Sequence, residues 1–498
     1  MRKHQQLQIL ELLNTISEAQ EIERYKDCME AAVSIAEFII NSDSKSKQTV
    51  ILLNEYCDIL NADIEHNKKL RKLEDHLSKI RSSVINELKP EKVEIVFFPY
   101  KSSMWDSLES IWLAAKNNNQ CNVQVIPIPY YNRLPDNSLG DMQYEGNDFP
   151  NYVPIVDWQS YCIDTHLPDV VFIHNPYDQF NTVTTVHPDY YSTSLVKFTE
   201  LLVYVPYYIT EGQIYDSSAI LPGVINADLV VLQSNDIQVQ FADVLKKQAY
   251  HGLNAAEVKK LFKEKLLPLG SPKIDKAISS TRNDADLPDD WKHHIFSSNG
   301  LRKTVVFYNT SIEQLLTNTV KDDKIDDTYF NKLESVFTFF KDRDDSVLLW
   351  RPHPLLEQTV NTMRAPLIPR YKAILEQYHH ERIGIYDDSN DLYRAIVTSD
   401  VYYGDWSSVN LLFLARGMPV LLQDMDPSTD TELQPYENMY DYGYYSDGAF
   451  RIKYFIEEFP LFSCKKEAIQ SHYSSKFANS DGTAGEKIVS HILNTYFT

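Results

Sequence analysis

Glycine is scarce in this chain, with 14 residues in 498 against the roughly 7% usual in proteins. Neither G-x-G-x-x-G nor G-x-x-x-x-G-K-[ST] occurs, so any bound phosphate must be held by something other than a glycine-rich loop. Cysteine is scarce too. The five residues Cys28, Cys57, Cys121, Cys162 and Cys464 are odd in number, widely spaced and without a C-x-x-C pair. That indicates neither a disulfide framework nor a zinc site, and a reducing compartment is expected. Positive charge is in the minority: 48 Lys and Arg stand against 70 Asp and Glu, for a net charge of −22. Such a field repels nucleic acid, and no basic stripe interleaved with aromatics offsets it. Long apolar runs are missing, and the opening MRKHQQLQILELL has a basic start without an apolar stretch or cleavage site behind it. A cytoplasmic protein is therefore expected. Weak peripheral contact with the inner face of the plasma membrane would fall to the basic turn Lys68, Lys69, Arg71 and Lys72, which reads first as a solvated helix face.

What is present is the composition of a globular protein, 43% hydrophobic and 24% charged, in a chain too long for one ordinary core. Residues 1–90 read as a helical N-terminal extension. Its last segment carries Leu70, Leu73, Leu77, Ile80 and Val84 at steps of three and four, an apolar seam on one helix face that ends at Pro90. Packing on the next domain is the first reading of that seam, and homo-oligomer contact through these helices is the second. From residue 93 short β-rich runs alternate with helix-length stretches: VEIVFFP, VQVIPIP, DVVFIH, LLVYVPYYI, ADLVVLQS and LLPLG. A polar segment at 276–300 reads as a linker. A second set follows it: KTVVFYN, SVLLWRPHP, RIGIYDD, DVYYGDWSS and MPVLLQD. The expectation is an α/β protein with two facing Rossmann-like domains, 91–290 and 300–498, and a ligand at the carboxyl ends of the strands.

Two segments at those strand ends carry chemistry. Trp350-Arg351-Pro352-His353-Pro354 puts an arginine fork and an imidazole on a proline-restricted loop, a combination suited to phosphate oxygens. Gly404-Asp405-Trp406-Ser407-Ser408 leads into an apolar helix. Ser407 or Ser408 then sits near an N-cap, where free N–H groups and the dipole attract an anion.

Four pieces in order, LGSPKID (269–275), VVFYNTS (305–311), WRPHP (350–354) and SDVYYGDWSSVNLLFLARGMPVLL (399–422), together resemble the CDP-glycerol:polyglycerophosphate glycerophosphotransferase-like proteins of teichoic-acid and capsule biosynthesis. The resemblance spans roughly residues 93–440 and implies a GT-B-like fold with a CDP-linked donor held mainly by the C-terminal domain. By motif position, Arg351 and His353 would contact donor phosphate, Asp405, Ser407 and Ser408 would line the same pocket, and Asn309, Thr310 and Ser311 would face the cleft. The implied reaction moves a phosphopolyol to a hydroxyl of a polymer or lipid-linked acceptor without a bound metal or other cofactor. A UDP-sugar-dependent glycosyltransferase or epimerase on the same architecture is the second reading, and a non-catalytic nucleotide-binding scaffold the third.

Where the family has His-Gly after a strand of the N-terminal domain, this chain has Val205-Pro206-Tyr207-Tyr208, so a base is sought elsewhere. His187 on a polar loop is the first candidate, with Asp178 and Glu211 behind it; His174 reads first as structural. The strings Asp284-Ala285-Asp286 and Asp424-Met425-Asp426, and the pairs His293-His294 and His379-His380, lack ligand sets at metal spacing, and no metal is expected.

Overall fold

The opening of the chain forms four helices, α1 (Lys3–Glu21), α2 (Tyr25–Ser42), α3 (Lys47–Asn61) and α4 (His66–Glu87). The structure is a computed structural model and describes residues 3–42, 47–88, 92–134, 136–248, 252, 254–284, 286–317, 320–321, 324–325, 328–423, 444–447 and 466–497. Pro90 and the string at 424–426 lie outside the described residues. The seam of α4 is consumed within the helices themselves: Leu73, Leu77, Ile80 and Val84 are buried in one cluster with Leu13, Ile39, Leu53 and Tyr56. That differs from a seam packed on the next domain, and the reason is that α1 and α3 flank α4 and bury this face locally. Gln6 donates to the free carbonyls of Val84 (3.0 Å) and Leu88 (2.8 Å) at the end of α4, satisfying acceptors that a helix C-terminus leaves open. By their contacts the described residues form two compact units, one of residues 1–95, 115–123 and 490–498, the other of 96–114 and 124–489.

In chain order the strands are β1 (Val93–Phe98), β2 (Cys121–Val125), β3 (Tyr130–Arg133), β4 (Leu139–Gln143), β5 (Val170–Ile173), β6 (Thr184–Val186), β7 (Leu201–Tyr204), β8 (Leu229–Val231), β9 (Leu266–Leu267), β10 (Thr304–Thr310), β11 (Val320–Lys321), β12 (Lys324–Ile325), β13 (Ser346–Pro352), β14 (Gly384–Tyr386), β15 (Val401–Gly404), β16 (Val420–Gln423) and β17 (Tyr444–Asp447). Two six-stranded sheets result, ordered β2-β1-β5-β7-β8-β9 and β14-β13-β10-β15-β16-β17. β5, β7 and β8 are apolar and buried at every residue, as strands covered on both faces must be. The chain is thus α/β with two parallel, Rossmann-like sheets. Strand order reverses between β1 and β5 in the first sheet and between β10 and β15 in the second, and such reversals open a crevice at the carboxyl edge.

The short antiparallel sheet β4-β3-β6 was not expected, because its strands are brief and largely polar. The segment 276–300 is also more ordered than a linker. It begins inside the helix Pro272–Ser279 and contains the helix Asp289–Ile295, whose Trp291 and Ile295 pack with Val305, Phe307 and Leu349 under the second sheet. Near the C-terminus the chain returns to the first sheet's edge: Ala478 N–H donates to Gln233 O (2.8 Å) and Asn479 Nδ2 to Leu269 O (3.0 Å). Asp275 accepts from Ala484 N–H (3.1 Å) and Gly485 N–H (2.8 Å).

Candidate functional site

The reversal between β10 and β15 brings most of the expected donor-side residues to one edge. In register, Asn309 pairs with Arg351 of β13 on one side and with Gly404 of β15 on the other. Gly404 is required there: its φ is +131°, and a Cβ would lie 2.1 Å from Asn309 O. Without a side chain the two strand ends can close on each other. Asp405 N–H then donates to Asn309 O (3.1 Å), and the Asp405 carboxylate accepts from Ser311 N–H (2.6 Å). Asp405 is 2% exposed, and burial pushes its carboxyl up to about 6, with hydrogen bonds from Ser311 opposing that rise.

Ser407 is the N-cap of the helix Ser408–Ala415, and its Oγ accepts from Val409 N–H (3.2 Å) and Asn309 Nδ2 (3.1 Å). The helix therefore begins at the carboxyl edge of the sheet with its positive end there. Trp406, 45% exposed, lies between Asp405 and this cap. Thr310 is buried, accepts from Trp350 Nε1 (3.2 Å), and its carbonyl receives His353 N–H (3.0 Å). In this way the β10 end fixes the neighbouring loop.

On that loop the two expected phosphate ligands part company. Arg351 is 6% exposed; its guanidinium pairs with Asp387 and donates to Ser389 O (2.7 Å). It thus ties β13 to the loop after β14. His353 is an exposed residue. Its Nδ1 accepts from Leu355 N–H (3.1 Å), which leaves Nε2 without a partner among the described residues. Desolvation first, and then the charge of Lys101, hold its pKa down to about 4, so the ring is neutral near pH 7.

Lys101 lies three residues beyond the end of β1, and its charge is felt at His353. It pairs with Glu145 (3.6 Å) and sits 4.4 Å above the Tyr130 ring; desolvation lowers its pKa despite the carboxylate. Glu145 also accepts from Tyr130 OH (2.6 Å) and Ser102 N–H (2.9 Å). Sequence reasoning passed over Lys101 and Glu145. The position of Lys101 immediately behind the run VEIVFFPY was the available signal.

Asp178 and His187 belong to neighbouring segments, Thr185 Oγ1 donating to Asp178 O (2.9 Å). Asp178 is 1% exposed, and its two carboxylate oxygens accept from Ser192 N–H (2.9 Å) and Ser192 Oγ (2.7 Å), at the first residue of the short helix Ser192–Leu195. Glu211 is bound to Lys476 and lines a separate 460 Å³ cavity with Tyr473 and Phe477. His187 stands behind β6 with Nδ1 accepting from Asp189 N–H (3.4 Å) and its ring among Tyr131, Trp158 and Tyr190. His174 is fully buried with both nitrogens engaged, by Tyr100 N–H (3.2 Å) and Ser107 Oγ (3.0 Å), and burial holds its pKa at about 3. Among the described residues no group of three His, Cys, Asp or Glu could hold a metal, and no helix is long and apolar enough to cross a membrane.

No protein-family profile and no curated protein matches this chain. Solved structures do. The wall teichoic acid polymerase TagF is 13% identical, with 90% of this chain and 97% of that one covered and a TM-score of 0.48. A UDP-N-acetylglucosamine 2-epimerase is 13% identical over 82% of this chain and 96% of its own, at a TM-score of 0.47. The enzyme of that activity from Neisseria meningitidis, bound to UDP-GlcNAc, is 11% identical over 81% and 100%, at 0.45. These are distant likenesses.

Proposed function

We propose that the chain is a transferase that holds a nucleotide-diphosphate-linked donor at the β10/β15 reversal and passes the donor's phosphopolyol to a hydroxyl of a cell-envelope or capsular polymer. One observation carries the reading: the helix N-terminus capped by Ser407 and the loop bearing His353 are both tied to the end of β10, through Asn309 and Thr310, and His353 also feels the charge of Lys101. Those are groups that stabilise a diphosphate without a glycine-rich loop or metal. In this reading His353, Ser407 and Ser408 touch phosphate oxygens, Asn309, Thr310 and Ser311 form the supporting edge, and Asp405 fixes Ser311. Arg351 sets the loop that carries His353, and Trp406 offers a ring to the base. CDP is the nucleotide expected from the motif resemblance, with a UDP-sugar donor as the second reading. The base that takes the acceptor's proton is His187, whose Nε2 has no partner among the described residues; Asp178 and Glu211, both engaged elsewhere, stand behind it.

Calorimetric titration with CDP, UDP and their glycerol and sugar conjugates tests this. CDP-selective binding that weakens at least about tenfold, 1.4 kcal/mol, in His353→Ala is expected. His187→Ala should keep that binding and lose transfer. Absence of nucleotide binding, or binding indifferent to His353, would remove the proposal, and UDP selectivity would turn it to the second reading.

A further inference from the structure

The helix Pro272–Ser279 belongs to both six-stranded sheets at once. It follows β9 of the first sheet, yet Ile274 and Ala277 are buried in one core with Val305, Phe307, Leu349 and Tyr402 of the second. Its charged side chains bind elsewhere. Lys273 pairs with Asp106 in the turn after β1, the two side chains being 8% and 7% exposed, and Lys276 pairs with Glu109 (2.9 Å) a few residues further on.

Bonds from the second half of the chain close on the same place. Tyr393, in the helix Leu392–Thr398 that leads into β15, is buried, and its hydroxyl lies 2.9 Å from Oδ2 of Asp106 and 3.1 Å from Lys273 O. Arg416, at the end of the helix that Ser407 caps, donates to Ser280 O (2.8 Å) and to Ala277 O. Arg282 donates to Val397 O (2.9 Å) and Ser399 O (3.2 Å). The return crossing is pinned as well: Phe477 lies in the core of the second sheet, and the next residue, Ala478, bonds to Gln233 O of the first half. Turning one sheet against the other would part Tyr393 from Asp106, and a buried carboxylate that loses a hydrogen bond is left under-satisfied. It would also pull Ile274 and Ala277 out of a close-packed core, which resists gradual deformation. A hinge, by contrast, absorbs its change in a few residues without separating buried groups.

We infer that this joint, with the Tyr393 hydroxyl as its central bond, holds the two sheets at one fixed angle, so that a ligand enters a crevice already formed instead of drawing two lobes together. The transferase reading supplies only the choice of CDP as a probe. Nitroxide labels on keto-bearing residues placed at Lys247 and Lys372, both exposed and on helices packed over the first and the second sheet, report the distance between the sheets in the full chain by double electron–electron resonance. A single narrow distribution is expected in the parent, without a shift on adding CDP. Tyr393→Phe keeps the ring and removes the hydroxyl alone; it should broaden the distribution, and Tyr393→Phe with Arg416→Ala should broaden it further. Where the double variant does not fold, the single variant decides alone, with its thermal melting as the check on integrity. A broad or two-peaked distribution in the parent, a shift on adding CDP, or a folded variant as narrow as the parent each overturns the inference. Calorimetry with CDP on the same samples keeps the two readings separate. A parent that binds no CDP loses the donor site while the nucleotide-free distributions still decide the joint, and a parent that binds CDP with a shifted distance loses the joint alone.

Discussion

Asp405 at the strand-order reversal is a stability liability whose size follows from its surroundings. At 2% exposure its carboxyl is pushed up to about 6 from an ordinary 3.8. A raised carboxyl means that the folded chain holds the proton more tightly than the unfolded one, so stability is greatest below the unfolded value and falls as pH rises from about 4 through about 6. The gap between 3.8 and about 6 corresponds to on the order of 3 kcal/mol lost by pH 7. Asp405→Asn keeps an oxygen for Ser311 N–H and removes the titration. Asp405 lies in the compact unit of residues 96–114 and 124–489, and for a unit of that size the variant should melt roughly 3–5 °C above the parent at pH 7, with the two converging near pH 4. Scanning calorimetry from pH 4 to 7.5 measures this difference directly. A gap that does not change with pH, or a variant less stable at pH 7, would refute the burial argument.

Two further perturbations bear on the same edge. His353 is held at about 4 in the free protein, and a bound diphosphate should raise that value; nucleotide binding near pH 5.5 should therefore take up protons, read from calorimetry in buffers of different ionisation enthalpy. The uptake should shrink in His353→Ala and should vanish in the parent well above pH 7. Gly404→Ala places a methyl 2.1 Å from Asn309 O at a φ of +131°, so a loss of about 3 kcal/mol or more is expected, with nucleotide binding lost even where soluble protein survives; a melting temperature within a few degrees of the parent would contradict it.

Strands were the legible part of the fold because their signal is local. Val170–Ile173 and Leu201–Tyr204 are apolar throughout and buried throughout, and a run of that kind between turn residues has few other readings. The edge at β10, β13 and β15 was legible for the same reason, since residues just behind such runs must lie at a sheet's carboxyl end. Side-chain direction was not legible. WRPHP reads identically whether its guanidinium faces a ligand or Asp387, and the partner that decides it is 36 residues away. Asp178 shows the same limit: its neighbours suggest a polar loop, yet Ser192, 14 residues on, engages both oxygens. The helix Asp289–Ile295 was hidden by the polar composition around it, although Trp291 and Ile295, four apart, were the apolar pair that buries it.

The placement of Arg351 changes what its conservation of charge would mean for the site. A guanidinium aimed at phosphate would be replaceable in part by lysine, whereas one that forks between Asp387 and Ser389 O meets a fixed geometry that an ammonium does not reproduce. Removing it leaves the Asp387 carboxylate buried at 2% exposure without its cation, the costly way to break a buried pair. The loop it secures follows β14, while β13, which bears it, ends at Pro352, next to His353. In the proposed transferase, Arg351 would therefore position the loop that carries His353. Loss of donor binding in an Arg351 variant would then follow from the displaced loop, whereas His353, whose Nε2 has no partner among the described residues, is the residue whose substitution would report on phosphate itself under the proposed function.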